Sequence, residues 1–78
     1  MKFPPLYALL CFEATGRHAS MKSAAGELFV TPAAISQQIA KLEKAVGVTL
    51  FIRNTKRLEL TPEGKIYLRA IRPALGQI

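Results

Sequence analysis

The stretch that most restricts this chain runs from Ser20 to Val46, SMKSAAGELFVTPAAISQQIAKLEKAV. It reads as two short helices joined by a tight turn, the second held from one side only. Thr31 offers a hydroxyl to an orphan backbone N–H at a helix start, and Pro32 suits the first helical position, where a missing donor costs nothing. The second helix is therefore predicted over 32–46, with Gly47 as its stop. At 100° per residue Ile35, Ile39, Leu42 and Val46 fall on one narrow stripe, the spacing of a core-facing surface. The opposite side carries Ala33, Ser36, Gln37, Ala40, Lys41 and Lys44, short or amide-bearing at the N-terminal end and cationic further along. That gradation suits a helix entering a major groove, with small residues for close approach, amides or hydroxyls for base edges and lysines for phosphate. A solvated outer face accounts for the same residues on a lone helix, so this pattern leaves both readings open.

The chain has 78 residues, half of them apolar, which suffices for one small domain with a modest core and little room for a buried catalytic cavity. Eleven Lys and Arg stand against five acids, all of them Glu, for a net charge of +6. Such a balance favours a polyanionic partner, although DNA, RNA, anionic lipid and an acidic protein all satisfy it. Cys11 is the only cysteine, which excludes an intrachain disulfide and a cysteine-rich metal site and points to a reducing cytoplasm. The longest uncharged apolar run, residues 3–12, is shorter than the roughly 20 residues that span a bilayer. Pro4, Pro5 and Glu13 around it also argue against a signal peptide.

Along the chain, Leu6, Leu9, Leu10 and Phe12 supply apolar bulk for a first helix that Gly16 is expected to stop. Leu10 and Cys11 fall off the Leu9 and Phe12 side, with Cys11 read as a small apolar filler. Arg17 and His18 are placed in the following loop as polar groups that touch phosphate. A lone histidine at no ligand spacing predicts no metal site. Ser20 caps the helix MKSAAGEL, whose inner face is Met21, Ala24, Ala25 and Leu28, with Lys22 and Ser23 outside. Phe29, Val30 and Thr31 make the turn, and Val30 plugs the angle between the helices. After Gly47 the period changes, and a small hairpin is predicted with residues 50–53 pairing with 57–60. Arg53, Lys56 and Arg57 at its tip and flanks are three cations with no acid among them. Thr61-Pro62 repeats the cap-and-proline start of the earlier helix and opens a last helix that Pro73 is expected to kink or end. Ile66, Ala70, Leu75 and Ile78, or a similar stripe, would be apolar surface with no later chain to cover it.

Helix, helix-turn-helix, cationic hairpin and closing helix is the order of a winged helix-turn-helix, a mainly α fold with a two-stranded β wing. The run AAGELFVTPAAISQQIAKLEKAVGVTLFIRNTKRLELTPEG further resembles the N-terminal DNA-binding domain of LysR-type transcriptional regulators. That family's pattern is an AA..L helix, a turn, a helix of the form S.qI..LE..lG, then LF.R, then LT..G. This chain matches it at Ala24, Ala25, Leu28, Ser36, Ile39, Leu42, Glu43, Gly47, Leu50, Phe51, Arg53, Leu60, Thr61 and Gly64.

The resemblance implies a homodimeric, sequence-specific binder of double-stranded DNA. It divides the chain into a winged helix-turn-helix over 1–60 and the start of a linker, or dimerisation, helix over 61–78. The larger effector-binding domain of such regulators lies outside these residues, so the chain is expected to be a piece of one, and a small-molecule effector would act only through the missing domain. The implied DNA contacts are Thr31, Pro32, Ala33, Ser36 and Gln37, with Ser20, Lys22 and Lys41 beside them. Arg53, Lys56 and Arg57 map onto minor-groove or phosphate contacts, and Ile66, Ala70, Ile71 and Leu75 onto the dimer face. Many members carry glutamine where this chain has Pro32, which moves the base-reading load toward Gln37. Pro73 within the linker helix is a second departure. Glu43 is expected to anchor its helix by an ion pair or by hydrogen bonds.

No cofactor and no catalytic residue are expected: there is no Asp, one His, no Gly-rich phosphate loop and no nucleophile beside a base. A cationic amphipathic helix acting at membranes is disfavoured by the shortness of the last helix and by Pro73. The remaining rival is a winged helix that binds protein rather than DNA, against which stand the clustered hairpin cations and the graded helix face.

Overall fold

Thr31 and Pro32 do what their types predict, and the long helix they open packs against the two helices before it. The computed structural model describes residues 6–53 and 58–76, in the order α1 (Leu6–His18), α2 (Met21–Leu28), α3 (Pro32–Val46), β1 (Phe51–Arg53), β2 (Leu58–Leu60) and α4 (Pro62–Leu75). Lys56, Arg57 and Ile78 lie outside the described residues. The Thr31 hydroxyl accepts from the Ala34 N–H at 3.1 Å, and Gly47, at φ 79°, donates its N–H to the Glu43 carbonyl at 2.8 Å. Ile35, Ile39 and Leu42 are fully buried and Val46 half-buried, the predicted stripe. Each such side chain contributes about 1.5–3 kcal/mol on burial, against about 1 kcal/mol for the cap. The apolar edge, more than the cap, fixes α3 in place.

α1 packs against both α2 and α3 through Ala8, Cys11, Phe12 and Thr15, spaced i, i+3, i+4, i+7. Cys11 therefore faces the interior, as a small filler should, while Leu6 is half exposed and Leu9 and Leu10 are half-buried. The expected separation of Leu10 and Cys11 from Leu9 and Phe12 does not hold: Cys11 shares the buried side of Phe12, and Leu9 is half-buried like Leu10. Gly16 does not stop this helix, which runs on to His18 and ends at Ala19, φ 56°, whose N–H bonds the Thr15 carbonyl at 2.8 Å. Gly16 instead gives α4 room, since a Cβ there would meet Leu68 Cδ2 at 2.9 Å.

Ser20 caps α2 by accepting from the Ser23 N–H at 3.1 Å, and Ala24 and Ala25 are buried beneath it. Phe29 then turns left-handed, at φ 59°, so that the Val30 N–H reaches the Ala25 carbonyl at 3.0 Å. Val30 packs against the core, and Phe29 is 94% exposed.

β1 and β2 pair antiparallel in the register Phe51↔Leu60, Ile52↔Glu59, Arg53↔Leu58. Leu50, predicted as the first strand residue, lies just before the strand and is fully buried. Glu43 holds this entry by hydrogen bonds: its carboxylate accepts from the Leu50 N–H at 2.7 Å and the Phe51 N–H at 3.3 Å. Thr61 closes the hairpin from the other end, its hydroxyl donating to the Thr49 carbonyl at 2.7 Å while accepting from the Gly64 N–H at 2.9 Å.

Phe12 joins these pieces, with the Phe51 ring edge-on at 5.4 Å and the Tyr67 ring tilted at 5.6 Å. Leu68 and Gly64 bring α4 onto the same core. Pro73 does not end α4, which continues to Leu75. The helical bond it removes is the one to the carbonyl of Arg69, an exposed residue, so the last turn persists, with Gly76 N–H on the Arg72 carbonyl at 3.0 Å.

Candidate nucleic-acid interface

With Ile35, Ile39 and Leu42 turned inward, the 3.6-residue period leaves Thr31, Pro32, Ala33, Gln37, Ala40, Lys41 and Lys44 exposed along one flank of α3. The residues at its N-terminal end are short, and a helix N-terminus carries partial positive charge favourable to an anion. Ser36 is half-buried on the same turn as Gln37. Its hydroxyl is covered by the hairpin: Arg53 Nη2 donates to Ser36 Oγ at 2.9 Å. Alternation along β1 explains the reach. Phe51 is buried and Ile52 is 47% exposed, so Arg53 shares the Phe51 side, toward the helices.

Ser20 and Lys22 stand at the head of α2, the first as its cap and the second exposed. Thus Thr31, Pro32, Ala33, Ser36, Gln37 and Lys41 share α3 and its cap, and Arg53 joins them from the wing. Lys56 and Arg57 lie outside the described residues.

Arg17 and His18 differ from expectation. They are the last residues of α1, not a loop, and their polar atoms are engaged. The Arg17 guanidinium bonds both Glu13 oxygens at 2.9 Å and both Glu27 oxygens at 2.7 and 2.8 Å, and His18 Nε2 lies 2.7 Å from Glu27 Oε1. Arg17, and after it His18, holds the Glu27 carboxyl down at about 2, and the Arg17 bond lowers Glu13 as well. These groups tie α1 to α2 and are not offered to phosphate. The i,i+4 spacing of Glu13 and Arg17 was a readable signal, whereas the ten-residue separation of Arg17 from Glu27 gave none.

Burial raises the Cys11 thiol, against a smaller opposing effect of its bond from Tyr7, which disfavours the reactive thiolate. Among the described residues no cluster of three or more His, Cys, Asp or Glu is placed to hold a metal. No described helix is long and apolar enough to cross a membrane.

On α4, Ile66 is 69% exposed and Ala70 is exposed, and both line a shallow cleft with Val46, Val48, Glu63 and Tyr67. Ile71 packs partly into the chain's own core, and Leu75 is half-buried near the helix end.

Residues 6–65 match the family model described as bacterial regulatory helix-turn-helix protein, lysR family. The glycine cleavage system transcriptional activator of Escherichia coli is 47% identical over 77 residues, which cover 99% of this chain and 25% of that protein. The chain thus spans about a quarter of the length of this curated relative. Among solved structures, a CbnR DNA-binding domain in complex with DNA superposes with a TM-score of 0.87 at 32% identity, covering 94% of this chain and 84% of that one. DarR of Vibrio fischeri, also in complex with DNA, gives 0.88 at 32% identity, covering 99% of this chain and 26% of that one.

Proposed function

This chain belongs to the lysR family of bacterial regulatory helix-turn-helix proteins, and from that membership we propose that it binds double-stranded DNA sequence-specifically, as the DNA-binding domain of a transcriptional regulator. In this reading α3 enters the major groove and the hairpin lies on the minor groove and flanking phosphates. One observation carries it: α3 is fixed along Ile35, Ile39 and Leu42 while Thr31, Pro32, Ala33, Gln37 and Lys41 stay open. A helix presented this way has small residues where close approach is needed, an amide where a base edge can be read and a lysine where the backbone passes.

The roles divide accordingly. Gln37 reads a base edge, its amide matching adenine N6 and N7. Thr31, Pro32 and Ala33 pack at the groove floor. Ser20, Lys22 and Lys41 contact phosphate, and Arg53, Lys56 and Arg57 serve the wing. Two copies pair through α4 by way of Ile66, Ala70, Ile71 and Leu75, and the effector is bound by a separate domain of the full regulator. The relatives support regulation rather than catalysis, since their names describe transcriptional regulators.

The Gln37→Ala variant tests the base-reading role. A bidentate amide contact discriminates by about 1–3 kcal/mol, so affinity for a preferred duplex should fall by about tenfold or more, while affinity for random duplex changes by less than about twofold. Equal losses on both duplexes would remove Gln37 from sequence reading.

A further inference from the structure

Arg53 and Arg17 are both surface arginines, but their surroundings differ in kind. The Arg17 fork is closed on two carboxylates. Among the described residues, Arg53 is held by one neutral acceptor, the Ser36 hydroxyl seventeen positions earlier. A hydroxyl that accepts one bond does not neutralise a guanidinium, which keeps its full charge and four further N–H donors. The contact thus fixes the direction of Arg53 while leaving it able to bind an anion.

Position makes the contact more than incidental. Ser36 lies between Pro32 and Ala40 on the open flank of α3, next to Gln37, while Arg53 is the last residue of β1. Their bond bridges the face of α3 and the root of the wing, two elements joined otherwise through Glu43 and the buried Leu50 and Phe51. A free arginine at a strand end must give up much rotamer freedom when it docks, and holding it beforehand removes part of that cost from binding.

We propose that Ser36 is a positioning residue: it acts on DNA chiefly by holding the Arg53 guanidinium against α3, so that helix and wing present one continuous surface. The proposal rests on the DNA-binding reading above and adds a specific coupling within it. Ser36 and Arg53 then form one functional unit rather than two independent contacts.

A double-mutant cycle on a duplex selected from random sequence tests this, using wild type, Ser36→Ala, Arg53→Ala and the double variant. The expected result is non-multiplicative loss: Ser36→Ala weakens binding in the wild-type background, and that effect shrinks by about threefold or more once Arg53 is alanine, as for side chains in direct contact. Ser36→Thr, which keeps the hydroxyl, should restore most of the affinity. A second readout needs no DNA: the NMR order parameter of the Arg53 side-chain Nε in the free chain should drop in Ser36→Ala and recover in Ser36→Thr. Losses that simply multiply, or an Arg53 side chain equally mobile with and without the serine, overturn the positioning role. Failure of wild type to bind any duplex would remove the DNA reading and this role together, whereas binding with multiplicative losses removes the role alone.

Discussion

Glu27 is a residue whose surroundings change its chemistry. Arg17 and His18 close on it, and its carboxyl is held near 2, below its ordinary 4.5, while Glu13 is lowered in the same direction by the other side of the Arg17 fork. A carboxyl whose value is depressed by folding adds stability that is complete above the unfolded value and is lost as pH falls through the folded one. The melting temperature should therefore fall as pH is lowered from 4.5 toward 2. In Arg17→Met the two acids return toward their ordinary values, so that part of the decline should flatten. An equally steep decline in the variant would mean that the Arg17 bonds add nothing in solution. At this scale the sequence was legible where a side chain acts on its own backbone neighbours: Ser20, Thr31 and Thr61 each cap the helix expected of them. It was opaque where the partner comes from elsewhere. Nothing in Arg17, His18 and Glu27 as letters says that α2 folds back beside the end of α1, so in sequence two paired groups look free.

Among the elements, α3 was readable to both ends because its signals are local: cap, proline, periodic apolar stripe and a glycine at positive φ. The end of α1 was not, because Gly16 serves a contact with Leu68 on α4, fifty-two positions away, rather than a turn. The helix end expected at Pro73 is absent for a related reason, since a proline near an exposed helix end removes one bond and the remaining turn survives it. The join between α3 and the hairpin depends on the Glu43 carboxylate, which serves two backbone donors where no ladder partner is available. Glu43→Ala should cost about 2 kcal/mol in urea unfolding, because it strands two partly buried N–H groups. Glu43→Gln keeps an acceptor and should cost about half as much. Equal losses for the two variants, or a loss within about 0.5 kcal/mol for alanine, the scale of an ordinary surface change, would show that the N–H groups are satisfied another way.

For the whole molecule, the distribution of charge follows from how the fold uses its acids. The net charge is +6. Glu13 and Glu27 are tied to cations, and Glu43 is tied to the backbone. Three carboxylates are thereby committed to holding helices and hairpin together, while Lys22, Lys41, Lys44 and Arg53 remain exposed. Composition announced a polyanionic partner but could not place the cations. Their placement needs the packing of α3 on α1, which in turn depends on Ala8, Cys11 and Phe12 facing inward from a run of nearly uniform apolarity. If the open flank of α3, with Arg53 beside it, reads duplex DNA, binding sites selected for the wild-type chain from random duplex should converge on a defined sequence. In a salt titration, affinity for that sequence should exceed affinity for random duplex by about 10³-fold or more, and log affinity should fall linearly with log salt on both. A selection that enriches no sequence, with equal affinity for selected and random duplex, would rule out DNA reading by this flank.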